Sequence, residues 1–126
     1  MTGPVSSICV SALLIAALSV VPAAAAPVTV GEVKDLKARA KAGAFSARAE
    51  WNALTYYLQG VVEGAVSYHK ALNDSGGETL FCPPQGATNS LDELIAALDA
   101  AGLKAKHRPV TALVTELYVK KYPCNG

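Results

Sequence analysis

The chain has 126 residues, with 11 Lys+Arg against 10 Asp+Glu and a net charge of +1. No charged residue precedes Glu32, so an uncharged leader stands before one small domain of about 95–100 residues. That size excludes a multidomain enzyme. A near-neutral chain without a long basic block also lacks the phosphate attraction that nucleic-acid binding needs.

In the leader, residues 8–21 form an apolar run of 14 residues, followed by Pro22 and four alanines. The run is too short to span a bilayer, so no stable membrane insertion is expected, and the small residues after it suit a signal peptidase. Ala23-x-Ala25 predicts cleavage between Ala25 and Ala26, giving a signal peptide over residues 1–25 and a mature domain over 26–126. The first seven residues carry no Lys or Arg, which is atypical of such a leader. Cys9 sits at the start of the apolar run, outside a lipoprotein pattern. The domain is therefore expected in the periplasm or the exterior. Its two remaining cysteines, Cys82 and Cys124, favour a disulfide in that setting. The alternative is a metal site, but neither histidine has ligand spacing to a cysteine.

Thr29-Val30-Gly31-Glu32 has the form of a capping box and predicts a first helix to about Ala42, ended by Gly43. Val33, Leu36 and Ala40 are its apolar positions. Residues 46–72 contain no proline. There Trp51, Leu54, Leu58, Val61, Ala65, Tyr68 and Leu72 alternate steps of three and four, predicting one long helix with a continuous apolar stripe. Gly60 and Gly64 lie one turn apart beside it. Glycine costs up to ~1 kcal/mol inside a helix, so close approach of another helix is the expected compensation. Trp51, Tyr57 and Tyr68 read as core residues and Tyr56 as the exposed one.

Residues 73–87 form a loop. Ser90-Leu91-Asp92-Glu93 repeats the capping-box pattern before a third helix to Ala101, with Leu91, Leu94, Ile95 and Leu98 on one face and Gly102 as its stop. Lys104, Lys106, His107 and Arg108 make a short basic segment. Pro109 opens a fourth helix burying Val110, Leu113, Val114 and Leu117, and Pro123 ends it. No segment alternates like a strand. The fold class is all-α: a compact four-helix domain with one disulfide.

Catalytic chemistry finds little support. Both cysteines are assigned to the bridge, and Ser67 and His69 point to different sides of their helix. Asp92, Glu93 and Asp99 occupy helix ends, where acids act as caps or solvated charge. No glycine loop cradles a phosphate. No enzyme activity, cofactor or metal is expected.

Phe81-Cys82-Pro83-Pro84-Gln85-Gly86-Ala87-Thr88, an amphipathic helix, a basic loop, a second helix and Tyr122-Pro123-Cys124 together resemble the Rap/Tai family of immunity proteins for type VI secretion amidase effectors. That family reads F-C-x-P-x-G-(V/A)-T at its first cysteine and closes with an aromatic-Pro-Cys. Tyr57-Leu58-Gln59-Gly60-Val61 is similar to its G-Y-x-x-G-V segment. One departure is the lack of a further cysteine pair near the start of the long helix, where Ala53 stands.

The resemblance implies a periplasmic, non-catalytic, often dimeric protein that binds a peptidoglycan amidase and occludes its cleft with an inserted loop. Two loops could serve: residues 73–80 and the basic residues 102–108. The contact residues expected are Lys104, Lys106, His107 and Arg108, with Tyr56 as an exposed aromatic. Two rivals share the size, export and single bridge: a periplasmic acid-stress chaperone, and an envelope structural protein with no toxin partner.

Overall fold

In the computed structural model, residues 26–125 are described. The expected signal peptide, its cleavage position after Ala25 and Cys9 lie outside them. Four α-helices follow in order: α1 (Val30–Lys41), α2 (Phe45–Asp74), α3 (Leu91–Ala100) and α4 (Val110–Lys121), with a short 3-10 turn at Leu103–Ala105. The fold is the expected all-α domain, and among the described residues no helix is long and apolar enough to cross a membrane.

Each helix begins or ends for a reason legible in its residues. The Thr29 hydroxyl accepts from the Glu32 amide at 3.3 Å, and the Thr29 amide donates to the Glu32 carboxylate at 2.7 Å, completing the capping box. Gly43, at φ +93°, turns the chain out of α1 in the left-handed region that glycine alone enters freely. At α3 only half of the expected box forms. The Ser90 hydroxyl accepts from the Glu93 amide, but the Glu93 carboxylate instead accepts two hydrogen bonds from the Lys121 ammonium at 2.7 and 2.8 Å. A cross-helix ion pair has outcompeted the local cap, and it ties α4 to α3. On the other side of α3, the Lys34 ammonium donates to the Ala101 carbonyl at 2.7 Å, and Lys37 pairs with Asp99. Both fasten α1 to the carbonyl end of α3, where cations are favoured.

The core runs through all four helices: Val30 and Val33 of α1, Leu58, Val62 and Val66 of α2, Leu94 and Leu98 of α3, and Val110, Val114 and Tyr118 of α4. Phe81, from the loop after α2, is wholly buried among them. Its ring lies 4.0 Å from that of His69 and 5.5 Å from that of Tyr118, which stacks in turn on Tyr122. Burial pushes the Tyr118 phenol above its ordinary value, against the pull of the nearby Lys121 ammonium.

The long helix corrects the sequence reading in two ways. Its buried face is Ala47, Leu58, Val62 and Val66, with Trp51, Leu54, Val61 and Ala65 half-buried beside it, whereas Tyr57 and Tyr68 are exposed. The expected stripe has a period of 3.5 residues. A straight helix has 3.6, so such a stripe drifts about 20° per heptad and has rotated off the core by Tyr68. Gly60 and Gly64 are the second correction. Among the described residues no helix packs on them: both are exposed, and a Cβ at either would meet nothing within 4 Å. They sit beyond the edge of the face that the core actually uses.

Cys82 and Cys124 are joined, with Cα atoms 4.9 Å apart and a closed loop of 42 residues. The Cys82 amide also donates to the Tyr122 carbonyl at 2.8 Å. The bridge therefore fastens the segment after α4 to the residue beside Phe81. Closing a loop of this length removes unfolded-state entropy worth about 4 kcal/mol at most. Cys82→Ser with Cys124→Ser should lower the thermal midpoint by 10 °C or more at this domain size, on the order of ΔΔG divided by the unfolding entropy. Thermal scans of oxidised, reduced and double-variant protein check it, and the last two should coincide.

Candidate partner-binding site

The basic segment between α3 and α4 is exposed and tied down by backbone hydrogen bonds. The first N–H groups of any α-helix lack intrahelical acceptors. In α1 the loop supplies them: the Val30 amide donates to the Arg108 carbonyl at 2.9 Å and the Gly31 amide to the Lys106 carbonyl at 3.0 Å. The Val110 amide donates to the Val28 carbonyl at 2.9 Å, and Thr29 and Pro109 form an isolated antiparallel bridge. Residues 106 and 108 are thus held by backbone atoms to the start of α1, and the bond between Val110 and Val28 fixes the start of α4 beside them.

This clamp explains Gly31, which the sequence shows only as a residue within a capping box. A Cβ there would lie 2.6 Å from Lys106 Cγ and 2.9 Å from the Lys106 carbonyl oxygen. Any larger residue must push the loop away. The Lys106 stem therefore lies across the start of α1, and its ammonium end is left to solvent.

The four cations expected as contacts divide into two groups. Lys104, Lys106 and His107 are exposed, and neither lysine makes an ion pair among the described residues. Arg108 is half-buried and makes a forked ion pair with Glu116 of α4, one arm at 3.3 Å and the other shorter. It braces the loop instead of projecting from it. Between the exposed lysines and the preceding glycine stands Leu103, which is 92% exposed. Sequence reading missed it. The available signal was an isolated leucine beyond the glycine that stops α3, with no stripe to join.

A cavity of about 130 Å³ lies between Leu103 and Lys106 on one side and Val30, Gly31 and Lys34 on the other. Sites for drug-sized molecules start near ~300 Å³, so this surface suits a macromolecule better than a small ligand. Tyr56 is 81% exposed on the outward face of α2, apart from the elements that build the loop.

The second candidate loop, residues 73–80, is fastened at its start by the Gly77 amide to the Leu72 carbonyl at 2.8 Å. Thr79 near its end lies 3.4 Å from both bridge sulfurs. Its exposed side chains are Asn73, Asp74, Ser75, Glu78 and Leu80, so it is acidic where the other loop is basic. The two lie at opposite ends of α4, which is about 18 Å long at 1.5 Å per residue.

Two outcomes follow from the clamp. Gly31→Ala should lower the thermal midpoint and raise amide exchange at residues 102–108, while Gly43→Asn, at a free left-handed position, should not change exchange in the loop. The second concerns acid. Hydrogen bonds from Arg108 hold the Glu116 carboxyl below its ordinary range, as those from Thr29 do for Glu32. A carboxyl lowered in the folded state adds stability above its unfolded value, and that stability is lost as pH falls through the folded value. Glu116→Gln should therefore lower the midpoint at neutral pH, and its deficit should close as pH is brought to about 3, read by thermal scans across that range.

No curated protein and no solved structure matches the chain. A family model does: the one described as Rap1a immunity proteins matches residues 31–124. That span takes in the loop clamp from Gly31 onward, all four helices almost entire and both bridged cysteines, and the chain belongs to the Rap1a immunity protein family.

Proposed function

We propose that this chain is a non-catalytic, exported binding protein that neutralises a peptidoglycan amidase effector of a type VI secretion system in the periplasm. Family membership supports an effector as the partner. The observation that carries the choice of surface is the backbone clamp on residues 102–108, which holds Leu103, Lys104, Lys106 and His107 outward from a fixed base. An inhibitor that plugs a cleft needs a projecting segment with little conformational freedom left to lose, because ordering a loop on binding subtracts directly from affinity. An exposed leucine flanked by cations supplies an apolar anchor for a pocket and charges for an acidic rim. The loop over residues 73–80 lacks the cations and exposes acidic side chains instead. The reading extends to a homodimer, as the family resemblance implies.

The test is inhibition of any peptidoglycan amidase encoded beside this gene; a gene with no such neighbour counts against the reading. Leu103→Ala should weaken the complex by about 30-fold, the effect of losing ~2 kcal/mol at an anchor. Lys104→Glu with Lys106→Glu should slow association and do so less at high salt. Both should leave the thermal midpoint within about 2 °C, as expected of surface changes. Full inhibition by these variants, with loss in Leu80→Ala, would move the contact to the other loop. An adjacent amidase that the wild-type protein does not inhibit would remove the amidase from the reading.

A further inference from the structure

A second cavity opens where α1 and α2 fold back on each other. It holds about 410 Å³ and is lined by Lys37, Ala40 and Lys41 of α1 and by Arg48, Trp51 and Asn52 of α2. Lys37 and Lys41 stand one turn apart on α1, as Arg48 and Asn52 do on α2, so each helix presents one ridge to the cleft. Between the ridges lie Ala40, too small to fill the gap, and Trp51, the chain's one tryptophan, half-buried against the core. This volume falls within the range of small-molecule sites, ~300–1,000 Å³, which the cavity under the basic loop does not reach.

Its charge is one-sided: three cations line it and no carboxylate does. Lys37 pairs with Asp99 of α3, whereas Lys41 and Arg48 pair with no carboxylate among the described residues. The hairpin is able to match charges across its helices, since Arg39 of α1 reaches Glu50 of α2 at 3.8 Å. The carbonyl end of α1 accounts for Lys41. It does not account for Arg48, which lies at the amide end of α2, where a cation is disfavoured. That end has no acid in its first turn and no side-chain cap. Two unpaired cations beside it make a patch of positive potential that nothing in the folded domain relieves.

We propose that this cleft binds an acidic sugar, a pyranose ring carrying a carboxylate or a phosphate. Arg48 and Lys41 take the anionic group, Arg48 through its fork of N–H donors. The ring lies on the indole of Trp51, and Asn52 offers its amide to the hydroxyls. Four of the six lining residues are polar, and the apolar surface is one indole and one methyl group. A pyranose matches that division, with a face of C–H bonds and a rim of hydroxyls. An aromatic acid would need apolar surface on both of its faces. The cleft lies at the opposite end of α1 from the clamp at Gly31, so the inference does not rest on the amidase as partner.

The experiment uses the full chain, whose only tryptophan lines the cleft and reports its occupancy by fluorescence. N-acetylmuramic acid, which carries a carboxylate, and glucose 6-phosphate should each shift the emission saturably, with a Kd on the order of 1 mM. The tighter of the two identifies the anionic group that the cleft takes. Neutral N-acetylglucosamine and inorganic phosphate each lack half of the recognised structure and should bind at least about tenfold more weakly. Lys41→Ser with Arg48→Ser should weaken the acidic sugars by about tenfold or more. The same pair should leave the thermal midpoint within about 2 °C, because neither residue gives up an ion pair. The site is overturned by the lack of a saturable shift with either acidic sugar up to about 20 mM, or by binding that survives loss of both cations. Neutral sugar or inorganic phosphate binding as tightly as the acidic sugars would overturn the acidic sugar as its ligand.

Discussion

The fold turns on the seating of Phe81 and the covalent link one residue later. Three of its helices are short, and helices of 10 and 12 residues are marginal in water without tertiary packing. α3 and α4 gain that packing around a ring supplied by a loop. Phe81 reaches its place between His69 and Tyr118 because the next residue is held twice: the Cys82 amide bonds to Tyr122, and the Cys82 sulfur is joined to Cys124. A small domain buries too little surface to waste a loop. Here the loop carries one of the largest fully buried side chains, and the bridge limits the unfolded chain's freedom to leave it.

The same geometry explains why the recognisable motif says more about architecture than about contact. Phe81 is the central ring and Cys82 the bridge. Pro83 is buried, and Gly86 at φ +74° turns the chain where the Ala87 amide donates to the Pro84 carbonyl. Tyr122 stacks on Tyr118, its hydroxyl donates to the Thr88 carbonyl, and Cys124 closes the loop. These positions of the motif serve the frame. The exposed residues of the basic loop fall outside it.

The helices were legible in the sequence because their signals are local: a capping box at Thr29, a glycine at position 43, and a proline-free run through α2. The bridge was legible from chemistry, as two thiols in a chain with an export-type leader. What escaped was set by distant parts of the chain. The rotation of α2 differs from a 3.5-residue stripe by an angle that only the positions of α1, α3 and α4 fix, so Val62 and Val66 were overlooked and Tyr68 was placed inside. Arg108 read as one cation of four because its partner, Glu116, lies two turns into the next helix. Gly31 gave no sign of its role, because the residue that crowds it is 75 positions away.

That separation has a consequence for how such a surface can change. The clamp on residues 102–108 is made by amides and carbonyls, which every residue but proline carries, and by one glycine that must stay small. The side chains at 103, 104, 106 and 107 carry little of the load: Leu103 is almost fully exposed, and Lys104, Lys106 and His107 are solvent-facing. Substitution there alters the surface without touching the core or the bridge, so stability and recognition fall on different residues. A binding protein matched to a changing target gains from that arrangement. Its loop can be rewritten side chain by side chain while the backbone that presents it keeps its shape.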